Sequence, residues 1–263
     1  MRYKLIATDF DGTLLTDDKH VTDITIQKLL NYKSQGYKIV GVTARALGST
    51  KYTIPIDIFD YLILNNGAYI YDVGNSNSRY IGILNQKIVS DIISLVENDQ
   101  NHIDIVSDTT YYSYKDNKKH DVTYIKIVDS IDEIDECIMR MNIFVDNLKL
   151  DHYCNLISKK FPDINCFIMQ DSDALLKWLV VNPKGINKKT TLELLGNELN
   201  VDLEEMIFFG DGLNDLEVMK AVGLGVAMGN ALDEVKECAK DITLSNNDNG
   251  VVYYLDKLLG KEV

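Results

Sequence analysis

Basic charge is scarce in this sequence: 27 Lys and Arg stand against 40 Asp and Glu, for a net charge of −13. Nucleic acids and anionic membranes are gripped by clustered Lys and Arg, so neither partner is expected. Long apolar runs are also missing. None approaches the roughly 20 residues that a spanning helix needs, which excludes a membrane-embedded transport ATPase. Asp9 and Asp11 interrupt any apolar stretch near the N-terminus, so no secretory signal is expected there. Only three prolines are present, with no low-complexity tract, leaving little room for disorder. The four cysteines, Cys137, Cys154, Cys166 and Cys238, show no C-x-x-C or other metal-binding spacing. Reduced, buried thiols of a cytoplasmic protein are the expectation.

What is present is an ordinary globular composition, 46% apolar and 25% charged, over 263 residues. That length supports a large core and reads more naturally as two domains than one. The most informative stretch is Asp9-Phe10-Asp11-Gly12-Thr13. It follows Leu5-Ile6-Ala7, a short apolar run that reads as a buried strand. In an extended chain, residues i and i+2 point the same way, so the Asp9 and Asp11 carboxylates are expected to crowd one small site. Like charges there repel unless a cation or a proton intervenes.

Near the C-terminus the design recurs. Met206-Ile207-Phe208-Phe209 reads as another short strand, followed by Gly210-Asp211-Gly212-Leu213-Asn214-Asp215. Ligands of parallel α/β sheets gather outside the carboxyl ends of the strands, so two acidic strand ends far apart in sequence can meet in one crevice. Hard carboxylate oxygens suit Mg²⁺, which keeps several waters and needs one or two protein carboxylates plus a phosphate.

These stretches resemble the motifs of the haloacid dehalogenase superfamily of phosphatases, in its Cof-type branch (subfamily IIB), and the resemblance runs along nearly the whole chain. Asp9 to Leu15 matches the first motif. Lys38 to Val42 ending in Thr43, with Ala44 and Arg45 behind it, matches the second. Pro183-Lys184-Gly185-Ile186-Asn187-Lys188 matches the third, and Gly210 to Asp215 with Met219 the fourth. Asn65-Asn66-Gly67-Ala68 and Ala227-Met228-Gly229-Asn230-Ala231 also look like this branch. Ala44 and Lys189 stand where glycine is usual.

Alternating strand and helix signals on either side of the middle predict an α/β fold, a Rossmann-like parallel-sheet core with helices on both faces. Thr22 or Asp23 is expected to cap a helix that Gly36 ends, and Asn187 to cap another. Asn66-Gly67 reads as a two-residue type I′ turn between Tyr61–Leu64 and Ala68–Tyr71. The segment from 83 to 182 differs in texture. It reads as α+β, with helices near 85–97, 131–140 and 151–160 and strands near 103–107, 111–114, 123–128, 143–145, 166–169 and 175–181. It carries no acidic strand end. The resemblance implies that it is an inserted cap that chooses the substrate, leaving a core made of 1–82 and 183–263.

The resemblance also implies the chemistry: hydrolysis of the phosphomonoester of a small phosphorylated metabolite, a sugar phosphate or phosphorylated cofactor, through an aspartyl-phosphate. Asp9 is then the nucleophile and Asp11 the general acid and base. Asp9, Asp211 and the Asp11 carbonyl oxygen hold Mg²⁺, Thr43 and Lys188 bind the phosphoryl oxygens, and Asn214 and Asp215 orient the metal side. Asn65, Asn66, Gly67 and Arg45 are candidate substrate or phosphate contacts, against a plain reading of the first three as turn chemistry and of Arg45 as a surface ion pair. A phosphosugar mutase would use the same covalent chemistry. A non-hydrolytic nucleotide-binding module would rest on Gly223 to Gly229, but a dinucleotide fingerprint needs its strand before the glycines, not among them. His20, His102, His120 and His152 match no motif, and Trp178 reads as packing. Neither the particular substrate nor the oligomeric state is legible.

Overall fold

The computed structural model describes residues 2–116, 123–170 and 176–260. The chain divides into two compact units. One comprises Met1–Ala44, Thr50–Arg79 and Asn187–Val263, and the other comprises Arg45–Ser49 and Tyr80–Ile186. His120, and the expected strand start at Leu175, lie outside the described residues.

In chain order the elements begin with β1 (Leu5–Thr8), α1 (Asp23–Ser34), β2 (Lys38–Val42), α2 (Leu47–Thr53), β3 (Tyr61–Leu64), β4 (Tyr69–Asp72) and β5 (Asn77–Tyr80). Next come α3 (Gln86–Val96), β6 (Gln100–Ser107), β7 (Tyr111–Tyr114), β8 (Ile125–Val128), β9 (Ile138–Val145), α4 (Leu150–Lys160), β10 (Ile164–Gln170) and β11 (Lys177–Pro183). The chain closes with α5 (Lys188–Leu199), β12 (Met206–Gly210), α6 (Leu216–Ala221), β13 (Leu224–Ala227), α7 (Asp233–Cys238), β14 (Asp241–Ile242) and α8 (Gly250–Leu259).

Eight strands form one sheet in the order β14-β13-β12-β1-β2-β3-β4-β5. From β14 to β3 the pairing is parallel, and β4 turns back antiparallel on β3. The expected parallel-sheet core is therefore present, with an antiparallel edge. β1 and β12 are short and wholly buried, which is why Leu5-Ile6-Ala7 and Met206 to Phe209 read as unbroken apolar runs rather than alternating ones. The expected caps are in place: Thr22 accepts from Thr25 N at the start of α1, and Asn187 from Thr190 N at the start of α5. Gly36, at φ 96°, follows the end of α1.

The hairpin between β3 and β4 differs from expectation. Leu64 pairs with Tyr69, so four residues make the turn instead of two. Asn65, Asn66 and Gly67 all have positive φ, at 51°, 56° and 105°. Asn66 N–H is committed to the Thr43 carbonyl oxygen (3.0 Å) beyond the end of β2. That bond ties the turn to the residue that follows β2.

The second unit carries a six-stranded sheet in the order β10-β11-β9-β6-β7-β8, antiparallel except between β7 and β8. Val89, Ile92 and Val96 of α3 and Ile157 of α4 pack with Ile103, Ile105, Met141, Ile143 and Leu179 in one core. The helix expected over 131–140 is not formed. One short turn, Ile131–Glu133, is closed by a capping box of Ser130 and Glu133, and Ile134 leaves it extended at φ −98°, ψ 102°. From Ile138 the chain becomes β9, paired on both edges with β6 and β11. The helix-like spacing of Ile131, Ile134 and Ile138 is real, since all three are buried. Two ladders of hydrogen bonds along an eight-residue buried strand outweigh that local periodicity. All four cysteines are free thiols, half-buried rather than buried. Cys154 Sγ donates to the Cys166 carbonyl oxygen at 3.1 Å. Trp178 lies 5.8 Å from the Phe144 ring, nearly parallel to it, in keeping with packing.

Candidate active site

The first unit brings its acidic loops together because β1 lies between β12 and β2. Thr8 pairs with Phe209 on one side and Gly41 on the other, so all three chains leave the sheet at the same edge. This is the switch point where the chain order reverses, the usual ligand crevice of an open α/β sheet. Asp9 N–H still donates to the Phe209 carbonyl oxygen (2.9 Å), which carries the β1–β12 register one residue past the strand.

Asp9 is 7% exposed and Lys188 1%. Lys188 is the first residue of α5, and Asn187 fixes its position by capping that helix and by sitting against the turn at Gly67. A Cβ on Gly67 would fall 2.4 Å from the Asn187 carbonyl oxygen, and Thr191 Oγ1 donates to the Gly67 carbonyl oxygen at 2.7 Å. From there Lys188 Nζ donates to Asp9 Oδ1 (2.9 Å) and to Asp215 Oδ1 (2.7 Å). Asp215 is fully buried, and its other oxygen accepts from Asp211 N (3.0 Å) and Gly212 N (3.1 Å). It thus shapes the loop that presents Asp211. Thr13 Oγ1 donates to Asp211 Oδ1 at 2.8 Å. Gly12 permits the approach: its φ is 73°, and a Cβ there would lie 2.2 Å from Asp211 Oδ2.

Among the described residues, ligand atoms of Asp9, Asp211 and Asp215 all lie within 4.8 Å of one another. Lys188 Nζ is bonded, among the described residues, to two of these carboxylates, and the acidities of Asp9 and Asp211 reflect burial first and mutual repulsion second. Burial holds Asp9 well above the usual carboxylate range; Lys188 opposes this, and Asp215 and Asp211 add to it. Asp211 is pushed up to about 6, chiefly by burial and then by Asp215, with Thr13 and Lys188 pulling the other way. Burial alone would lower Lys188, but Asp215 and Asp9 outweigh it and raise it, so the lysine stays charged. A set of hard oxygen donors, two buried and one half-buried, carrying more anion than cation fits a divalent ion such as Mg²⁺.

A model of the haloacid dehalogenase-like hydrolases matches residues 6–255. The chain belongs to this family. It is 28% identical over 262 residues to the 5-amino-6-(5-phospho-D-ribitylamino)uracil phosphatase YitU of Bacillus subtilis, covering 95% of this chain and 96% of that protein. A putative phosphatase of Haemophilus influenzae is 28% identical over 269 residues, covering 98% of both chains. The crystal structure of a haloacid dehalogenase-like hydrolase from Bacteroides thetaiotaomicron superposes with a TM-score of 0.85, covering 98% of this chain and all of that one, at 24% identity, a likeness of fold.

Of the residues that the haloacid dehalogenase motifs single out, the fold gathers Asp9, Lys188, Asp211 and Asp215 directly. Asn214 Nδ2 donates to Asn66 Oδ1 (3.1 Å), and Asn66 is bonded through its backbone to Thr43, so the buried Thr43, Asn65 and Asn66 border the same loops. Asp11 departs from expectation. Its carboxylate is not among those whose ligand atoms gather within 4.8 Å of one another. The chain abandons the extended form after Asp9 and turns through Phe10–Leu14, with Leu15 N–H donating to the Phe10 carbonyl oxygen (2.8 Å). The Asp11 carboxylate, 42% exposed, accepts instead from Lys19 Nζ at 2.9 Å. Arg45 belongs to the second unit and is half-buried. Thr13 went unread in the sequence, although it stands within the first motif. The signal available was a hydroxyl placed directly after the glycine that lets a carboxylate approach.

Proposed function

We propose that this hydrolase is a phosphatase that cleaves phosphate monoesters of small phosphorylated metabolites through an aspartyl-phosphate on Asp9. The observation that carries the proposal is the buried Asp9, held by a buried lysine and flanked by Asp211 and Asp215 at the carboxyl edge of the sheet. The full-length likeness to proteins named phosphatases supports it.

A phosphate monoester repels nucleophiles, so its cleavage requires charge neutralisation, in-line positioning and a proton for the leaving oxygen. Asp9 attacks the phosphorus, and one difficult step becomes two. Lys188 keeps Asp9 oriented and offers positive charge to the phosphoryl oxygens, which also accept from the Thr43 hydroxyl. Asp11 donates a proton to the leaving alcohol, then accepts one from the water that releases phosphate from Asp9. Asp9, Asp211 and the Asp11 carbonyl oxygen would hold Mg²⁺, whose charge would offset the repulsion between the carboxylates and the phosphoryl group. Asp215 and Asn214 orient this edge through the bonds described above. The inserted unit acts as the cap that selects the alcohol portion of the substrate, which the phosphate-binding residues cannot distinguish. The enzyme works in the cytoplasm.

Release of phosphate from p-nitrophenyl phosphate tests this reading. Activity is expected to vanish in excess chelator and to return with Mg²⁺, but poorly with Ca²⁺, which prefers more ligands at longer distances. Full activity in chelator would overturn the metal assignment. Sugar phosphate isomerisation without net phosphate release would indicate a mutase.

A further inference from the structure

The loop that follows Asp9 is fastened at several points to one C-terminal stretch. Asn230 Nδ2 donates to the Gly12 carbonyl oxygen (2.8 Å) and Asn246 Nδ2 to that of Leu15 (2.9 Å). The Asp17 carboxylate accepts from Asn246 (3.0 Å) and Asn247 (2.8 Å), and Asp17 N donates back to Asn247 Oδ1 (3.0 Å). Beyond Asp17 the chain closes a turn, with Lys19 N–H donating to the Thr16 carbonyl oxygen (2.9 Å) and Thr16 N–H to that of His20 (3.0 Å).

Within this fastened turn Lys19 has φ 60°. Glycine or asparagine occupies that conformation at less cost, and the backbone bonds of the turn make no use of a long cationic side chain. The side chain is used elsewhere: Lys19 Nζ reaches back eight residues to Asp11 Oδ1, at 2.9 Å. Asp11 is the motif carboxylate that stands outside the cluster of Asp9, Asp211 and Asp215. A strained residue held by its surroundings points to a role for its side chain.

We propose that Lys19 is a positioning residue for Asp11: the ion pair holds the Asp11 carboxylate in a resting orientation on the solvent side, and proton transfer to the leaving group requires its release. The proposal rests on the acid–base role given to Asp11 above. Both partners are about half-exposed, at 57% and 42%, so the pair biases the orientation modestly, by about two- to five-fold in population.

The test compares kcat/KM for two esters. Glucose 6-phosphate has an alkoxide leaving group that needs a proton, whereas the leaving group of p-nitrophenyl phosphate scarcely does. Lys19→Met is expected to raise kcat/KM about two- to five-fold for glucose 6-phosphate, to leave it unchanged for p-nitrophenyl phosphate, and to be reversed by Lys19→Arg. A merely structural lysine would move both substrates together. An unchanged or lowered value with glucose 6-phosphate, or an equal change with both esters, would overturn the proposal. Asp11→Asn in the same assay separates the two claims. It should lose far more activity on glucose 6-phosphate than on p-nitrophenyl phosphate. Equal losses would overturn the acid–base role and the Lys19 proposal with it, while unequal losses with no effect at Lys19 would overturn only the latter.

Discussion

Replacing Lys188 with methionine removes the ammonium paired with Asp9 and Asp215 while nearly preserving side-chain volume. Nζ lies 2.7 and 2.9 Å from Asp215 and Asp9, and the lysine is 1% exposed. Breaking a buried ion pair from one side costs about 3–5 kcal/mol, because the remaining charge stays buried without compensation. At about 2–4 °C per kcal/mol for a chain of this size, the first unit should melt about 6–20 °C lower at pH 8. The cost is bounded by protonation. Without the cation the carboxylates take up protons more readily when folded than when unfolded, so the native variant binds protons that the unfolded chain does not. Its stability therefore rises as pH falls, and the deficit against the wild type should narrow between pH 8 and pH 5. Calorimetric melts at both pH values measure this, and fluorescence of the single tryptophan, Trp178 in the second unit, distinguishes the melting of that unit. Melting within 2 °C of the wild type at pH 8, or a deficit that widens at pH 5, would refute the electrostatic reasoning.

Two further outcomes follow from the same structure. Thr13→Val removes the hydroxyl that donates to the half-buried Asp211 carboxylate, and loss of this bond to a charged group should cost up to about 1.5–3 kcal/mol. Since that bond favours the ionised form of Asp211, the variant should also need more Mg²⁺ for half-maximal activity, which a metal titration reads directly. In the second unit, burial pushes Glu136 up, but the hydroxyls of Ser107, Thr109 and Tyr112, with Lys126, outweigh it and hold the carboxyl below its ordinary value. A lowered carboxyl contributes stability that is present above its unfolded value and is lost as pH falls through its folded one. Glu136→Gln should therefore weaken the second unit at neutral pH and flatten its loss of stability below about pH 4.5, as followed by Trp178 fluorescence.

The site was legible where chemistry is tied to strand ends. Asp9, Thr43, Asp211 and Asp215 stand at fixed places in short motifs behind buried runs that read plainly as parallel strands, whereas Lys188 is placed by the Asn187 cap of α5. Asp11 was harder. The i, i+2 rule assumes an extended chain, and the turn over Phe10–Leu14 breaks that assumption one residue after Asp9. The partnership of Asp11 with Lys19 depends on a left-handed residue in a fastened loop, which spacing does not announce. The 131–140 segment failed for a different reason. Its apolar spacing serves burial in either conformation, and only its two neighbouring strands, distant in sequence, decide for β9. The turn at 65–68 uses the positive φ that its asparagines and glycine allow, but its bond to Thr43, distant in sequence, is not announced by the local pattern.

The most direct test of covalent catalysis at Asp9 is the mass spectrum of acid-quenched Asp11→Asn enzyme mixed with p-nitrophenyl phosphate and Mg²⁺. Asp9 remains able to attack, the leaving group scarcely needs a proton, and the water that should release phosphate has lost its base. A species heavier by one phosphoryl group should therefore accumulate, with the modification mapping to Asp9, and it should be absent from Asp9→Asn, whose turnover should fall by several orders of magnitude. Phosphate on any other residue, or no phosphoenzyme in Asp11→Asn while it still turns the substrate over, would contradict the account.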